Sequence, residues 1–215
     1  MADFIRARSP EHKEERKQAI MAAADKLFLT CPYHDITLSS IAQEVGLSRA
    51  NLYKYAQTKE EIYLWLHAKC NEAYFEDLLN ALQSGSFTNR QFAQKWAKVT
   101  AQHDAFLRYQ DVLISIIEAN VSLDALVEFK RNFARICAPI DSLLAQQCGL
   151  EDTQRAHDLF RCLLYQASGL RNLYACSDLT KEAMAIAGLS PVEGSFERAY
   201  EDFVLMCLDS YSENR

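Results

Sequence analysis

The chain has 215 residues, of which 49% are hydrophobic, and a net charge of −6. That length supports one large domain or one small and one medium domain, and with only four prolines, six glycines and almost no strand-like alternation the chain is expected to be all-α, with sheets excluded. No run approaches the roughly 20 apolar residues of a membrane span, the start MADFIRARSPEHKEERK lacks the apolar core of a signal peptide, and the seven cysteines never form C-x-x-C, so a cytoplasmic chain with reduced thiols and no thiolate zinc site is expected.

The charge is unevenly divided. Residues 1–69 carry ten Lys/Arg against nine Asp/Glu, whereas the remaining residues carry thirteen against twenty. A near-neutral N-terminal region with a few placed cations on an acidic C-terminal region fits a DNA-reading head on a body with another task.

Residues 13–29 read as a first helix, because Ile20, Ala23, Ala24, Leu27 and Phe28 recur at three- and four-residue spacing. Pro32 stops it. Thr37 stands at the N-cap of a short second helix with apolar positions Leu38, Ile41, Ala42 and Val45, ending at Gly46. Ser48 caps a third helix through about Tyr55. Thr58 and Glu61 have the spacing of a capping box for a fourth, which runs to the Gly85 turn. Longer helices are predicted at about 88–102, 104–120, 122–148, 151–177 and 194–212, with Asp178 to Gly194 unstructured. Pro139 is expected to kink or break the helix that contains it.

The stretch from Thr37 to Tyr55 meets the demands of a helix-turn-helix, whose two helices approach closely and reverse within a few residues. Ala42 is small at the expected contact, Gly46 supplies a left-handed turn, and Leu52 lies on the buried side of the second helix. The outward face then offers Arg49, Ala50, Asn51, Lys54 and Tyr55 to a major groove. Arginine can donate two hydrogen bonds to guanine, asparagine pairs both ways with adenine, and an alanine methyl meets thymine. Thr37, Ser48, Tyr53 and Lys59 carry hydroxyl or ammonium groups suited to phosphate oxygens. For Tyr53, packing on the first helix is the alternative.

The run Thr37-Leu-Ser-Ser-Ile-Ala-Gln-Glu-Val-Gly-Leu-Ser-Arg-Ala-Asn-Leu-Tyr-Lys-Tyr-Ala-Gln-Thr-Lys-Glu-Glu-Ile-Tyr63, with the amphipathic helix before it, resembles the N-terminal domain of TetR-family repressors over about residues 13–66. The family usually places a bulky aromatic where this chain has Ala56, and Tyr55 or Trp65 is expected to fill that space. The resemblance implies a three-helix DNA-binding head at residues 1–57 and a larger helical domain at 58–215 that binds a small effector and forms a homodimer. Dimerisation through the last two long helices would then use Leu159, Leu163, Phe196, Tyr200, Phe203, Val204 and Cys207, or these stripes complete the monomer core.

An effector pocket needs apolar walls with a few polar groups. Trp96, Tyr109, Leu113, Phe133, Cys137 and Tyr165 are expected to face inward from different helices, with Asn120 and Glu118 as polar groups, and core packing is the competing explanation for each. The aromatic bias favours a flat or hydrophobic effector. The expected partners are thus a double-stranded operator, a small effector and a second copy of the chain, without a membrane. An effector that tilts the heads would spoil the 34 to 36 Å spacing between recognition helices in successive grooves and release the DNA.

No Gly-rich phosphate loop or nucleophile elbow is present, and the five histidines are dispersed, so no enzymatic activity, cofactor or metal is expected. The alternatives are a partner-binding or redox-sensing protein on the same fold, with weak or no DNA readout.

Overall fold

The computed structural model of the chain describes residues 10–190 and 192–213, with the side chains of residues 113, 114 and 213 outside the description. Among these residues ten α-helices occur and no strand. They group into two compact units, one holding the described residues up to Ala68 together with Val112–Phe129, the other Lys69–Asp111 together with the described residues from Lys130 onward.

The first unit opens with α1 (Pro10–Thr30), which buries Ile20, Met21, Ala23 and Ala24. A 3-10 turn (Tyr33–Asp35) leads to α2 (Leu38–Glu44) and α3 (Arg49–Leu52). Both short helices are capped by the expected residues. Thr37 Oγ1 accepts from the Ser40 N–H at 3.1 Å while Ser40 Oγ accepts from the Thr37 N–H at 2.9 Å, and Ser48 Oγ accepts from the Asn51 N–H at 3.2 Å. Gly46, at φ +72°, closes α2 with paired bonds from Leu47 N–H to Ala42 O and from Gly46 N–H to Gln43 O. Ala42 and Leu52 are buried.

Three rings brace this unit. Phe28 and Tyr63 lie 5.4 Å apart between centroids, Tyr33 and Tyr63 5.1 Å, and the Tyr63 hydroxyl donates to the Ala24 carbonyl at 2.9 Å. Ala56 is buried, and Trp65 is half-buried with the Lys17 ammonium 4.6 Å above its ring. Burial pushes the phenols of Tyr33 and Tyr63 well above their ordinary range, Tyr33 further because Glu60 accepts its hydroxyl proton.

Helix α4 (Lys59–Leu82) begins in the first unit and ends in the second. Its cap differs slightly from the expected box. Thr58 Oγ1 accepts from the Glu61 N–H, but the Glu61 carboxylate reaches one residue further back, to the Gln57 N–H at 2.8 Å.

The second unit holds α5 (Asn89–Gln102), α6 (Asp104–Val112), most of α7 (Leu123–Cys148), α8 (Thr153–Tyr174), α9 (Asp178–Ile186) and α10 (Phe196–Glu213). Its core gathers Phe75, Trp96, Phe106, Ile140, Phe160 and Tyr200, among others. Two buried polar groups of this core are paired in a chain: the Trp96 indole N–H donates to the Tyr200 hydroxyl at 3.1 Å, and that hydroxyl donates to the Leu163 carbonyl at 3.0 Å.

Two expectations are corrected, and of the kink or break expected at Pro139 the break is absent. The helix predicted at 104–120 ends at Val112, followed by a π turn (Leu113–Ile117) and a 3-10 turn (Glu118–Asn120). The β-branched run Val112, Ile114, Ile116, Ile117 crowds regular α geometry, and the Asn120 amide donates to the Ile116 carbonyl at 2.7 Å. Helix α7 continues past Pro139 without a break. The stretch Asp178 to Gly194 contains α9, capped by Ser177 Oγ accepting from the Thr180 N–H at 3.1 Å.

Candidate nucleic-acid interface

The candidate DNA-facing residues all belong to the first unit. Helix α3 ends at Leu52, short of the expected Tyr55, and its buried Leu52 turns the opposite face outward; on α3 and the turn that follows it, Arg49, Ala50 and Lys54 are exposed while Asn51, Tyr53 and Tyr55 are half-buried. Two side-chain pairs run along this face. An Arg49 guanidinium nitrogen donates to the Tyr53 hydroxyl at 2.9 Å, with the guanidinium 5.3 Å from the ring centre, and the Lys54 ammonium donates to Asn51 Oδ1 at 2.9 Å. Both pairs are solvent-accessible, so a base edge or phosphate can exchange for either partner at little cost. Tyr53 is thereby a neighbour of Arg49, and its placement accommodates an outward contact.

Thr37 and Ser48 are exposed and their hydroxyls already accept backbone protons as caps; the Thr37 hydroxyl also donates to Ser40 Oγ at 3.4 Å, in a long bond that a phosphate oxygen can replace. Lys59 departs from the expectation of a free cation. It is half-buried, and its ammonium donates to the carbonyls of Tyr33 at 2.7 Å and Ile36 at 2.8 Å. The Tyr33 carbonyl also accepts from the Ile36 N–H at 3.3 Å, and the lysine at the start of α4 adds a charged donor to both carbonyls.

The candidate effector residues are dispersed. Trp96, Tyr109 and Cys137 are buried in the second unit, and Phe133 is half-buried with its ring 6.0 Å from Phe75 and 6.4 Å from Phe160. Tyr165 was expected to face inward but is 46% exposed, because it lies on the side of α8 opposite Leu159, Leu163 and Ala167. Asn120 is also exposed, and Glu118 is half-buried; both belong to the first unit. The side chain of Leu113 lies outside the described residues. A cleft of about 220 Å³ opens elsewhere in the second unit, lined by Gln83, Phe87, Leu143, Gln146 and Gln147 among others. Spacing alone gave no sign of it, because its wall is the loop after α4.

Burial pushes the Cys137 thiol far above its ordinary range, and the Asp141 carboxylate adds to the shift. This thiol is not a nucleophile at neutral pH.

The candidate dimer residues divide by burial. Leu159, Leu163, Tyr200, Val204 and Cys207 are buried within the single chain, which is the core-completing alternative that the sequence left open for these stripes. Phe196 and Phe203 are half-buried. The outward apolar groups of the same two helices are Tyr165 at 46%, Leu173 at 46% and Met206 at 59% exposure.

Two short capped helices around a positive-φ glycine, the second presenting polar groups outward, define the class of helix-turn-helix DNA-binding regulators. A model described as "Bacterial regulatory proteins, tetR family" matches residues 20–65, and one described as "Tetracyclin repressor-like, C-terminal domain" matches residues 68–212. The chain belongs to the TetR family of bacterial regulators. Its fold is similar to that of a fatty acid degradation regulator, FadR, from Bacillus halodurans, at 14% identity and a TM-score of 0.55 over 94% of this chain and 96% of that one. A TetR/AcrR regulator from Thermobifida fusca is similar at 15% identity and a TM-score of 0.57, over 92% and 98%. The regulator PfmR from Thermus thermophilus is similar at 19% identity and a TM-score of 0.54, over 87% and 97%. No curated protein matches the chain.

Proposed function

We propose that the chain is a homodimeric, non-enzymatic repressor in the cytoplasm that holds a double-stranded operator through α3 and releases it when a small hydrophobic or aromatic effector binds the second unit. The observation that carries the reading is the polar face of α3 and the turn after it, with Arg49, Ala50 and Lys54 exposed over a buried Leu52. Arg49 and Asn51 read base edges, Ala50 allows close approach, and Thr37, Ser48, Tyr53, Lys54 and Tyr55 position the head on phosphates. Lys59 acts indirectly, by tying α4 to the turn before α2.

A symmetric dimer places two recognition helices about 34 to 36 Å apart. Helix α4 takes part in both units, which makes it the route by which an effector alters that spacing. Release follows if the effector binds the displaced arrangement more tightly than the DNA-ready one. The aromatic groups of the second unit, Phe75, Phe133 and Phe160, favour an apolar effector.

The test is footprinting of purified dimer on DNA upstream of the chain's own gene at several salt concentrations. A short, salt-sensitive protected site with two-fold symmetry is expected. Uniform affinity for unrelated sequences would overturn the reading. Effector action is tested by titrating candidate apolar ligands into the complex, and unchanged operator affinity with ligands shown to bind would remove that part of it.

A further inference from the structure

We propose that the cleft beside the loop after α4 is a binding site for a small, uncharged, hydroxyl-rich molecule of monosaccharide size, separate from the proposed apolar effector. The cleft measures about 220 Å³, the volume of about seven waters at roughly 30 Å³ each. Its walls come from the end of α4, the loop that follows, α5 and the end of α7, so it uses no residue of α8 or α10, where a second copy is proposed to dock. None of the candidate effector residues lines it either. A relay of amides fixes what it presents. The Asp209 carboxylate has no proton to give, so Asn89 faces it with the amide nitrogen, at 2.8 Å, and keeps Oδ1 for Gln147. Gln147 Nε2 donates to that oxygen at 2.9 Å and to the Phe87 carbonyl at 3.1 Å. Both protons of the Gln147 amide are thereby committed, and its carbonyl oxygen is left as an oriented acceptor.

The rest of the lining decides the chemistry of the ligand. Among the described residues no charged side chain lines the cleft. An anion would meet the negative C-terminal ends of α4 and α7, and a cation would meet the Lys95 ammonium, held 5.1 Å from the centre of the Phe87 ring. A purely apolar molecule would strip water from Gln83, Ser86, Gln146 and Gln147 and return no hydrogen bond. Hydroxyl groups both donate and accept. One can donate to the Gln147 oxygen while others accept from the Ser86 hydroxyl, the Gln146 side-chain amide or the N–H groups of residues 85–87, none of which has a hydrogen-bond partner among the described residues. Phe87 and the buried Phe92 supply ring surface for the C–H face of such a molecule. Gly85 lets the Phe87 ring lie back on the loop, since a Cβ there would stand 2.6 Å from Phe87 Cζ.

The experiment titrates the full chain with D-glucose, D-galactose and N-acetyl-D-glucosamine and reads binding by saturation-transfer NMR, with acetate, ethylammonium and hexanol as anionic, cationic and apolar competitors. At least one sugar is expected to bind saturably, with a Kd of about 1 mM or tighter, and to resist all three competitors. The double variant S86A/Q146L removes two hydrogen-bonding groups and leaves the Gln147 relay intact, and its Kd is expected to rise about tenfold. In G85A the new methyl group displaces the Phe87 ring, and binding weakens likewise. Circular dichroism confirms the helical fold of both variants. The proposal is overturned if none of the three sugars binds, if neither variant weakens the binding, or if hexanol displaces the sugar. Sugar binding needs neither DNA nor the apolar effector, so its failure leaves the proposed function untouched.

Discussion

The Lys59 ammonium lies 2.7 Å from the Tyr33 carbonyl oxygen and 4.2 Å above the ring of the same residue. One side chain thus anchors the start of α4 to both the backbone and the aromatic brace of the DNA-facing unit. Removing it leaves the carbonyls of Tyr33 and Ile36 without this donor. Hydrogen bonds to charged groups contribute about 1.5 to 3 kcal/mol, so Lys59→Ala is expected to destabilise this unit by about 2 kcal/mol. Urea unfolding followed by hydrogen exchange at α2 and α3 measures it. A variant with unchanged protection there, and weaker binding to every DNA sequence, would return Lys59 to the role of a simple phosphate cation.

The exposed pairs of α3 divide the work of DNA binding in a way that mutation separates. Arg49→Ala and Asn51→Ala are expected to flatten discrimination among operator variants, each by about 1 to 3 kcal/mol at one base position. Lys54→Ala weakens binding to all sequences alike and lowers the salt slope by about one. Competition binding against a panel of single-base operator variants distinguishes the two patterns. Identical losses on every sequence from all three substitutions would refute the division.

What was legible in the sequence was what is set locally. Thr37 and Ser48 cap their helices through backbone atoms three residues away, and Gly46 takes a positive φ within the turn it closes. No tertiary contact is needed to decide these features, and the N-terminal fold follows from them. Helix α9 escaped because none of its residues is buried, so it carries no core stripe. The engagement of Lys59 depends on Tyr33 and Ile36, more than twenty positions earlier. The inward or outward placement of Tyr165 depends on which face of α8 the rest of the unit covers. Helical spacing defines a stripe but leaves its partner open.

Between α7 and α8, Asp141 Oδ2 meets His157 Nδ1 at 3.0 Å, while Asp141 Oδ1 is buried without a hydrogen-bond partner. Burial raises the Asp141 carboxyl above its ordinary value of 3.8, and the bond and charge of His157 offset only part of the rise. The folded chain therefore holds this proton more tightly than the unfolded chain does. The resulting contribution to stability is fully present below 3.8 and is lost as pH rises through the raised folded-state value. Asp141→Asn removes that dependence. Urea midpoints measured between about pH 4 and pH 7 are expected to fall less with rising pH in the variant than in the unsubstituted chain. Parallel profiles would show that the buried carboxyl is not linked to folding.

The apolar residues of α8 and α10 separate into those that fold the chain and those available to a second copy. Leu163 is buried at 0% exposure, so Leu163→Glu places an unpaired charge inside the core and is expected to abolish folding. Met206 is 59% exposed, and Met206→Glu places the same charge where the single chain has water. In the monomer that change costs little. In a symmetric dimer closed by this face the charge meets either apolar surface or its own symmetry mate, so Met206→Glu is expected to yield a folded monomer. Sedimentation velocity with circular dichroism checks both halves of the expectation. Loss of the dimer also removes simultaneous engagement of two half-sites, so operator affinity should fall by roughly 100-fold or more through lost avidity alone. A Met206→Glu chain that stays dimeric at micromolar concentration would place the intermolecular contact on a different face.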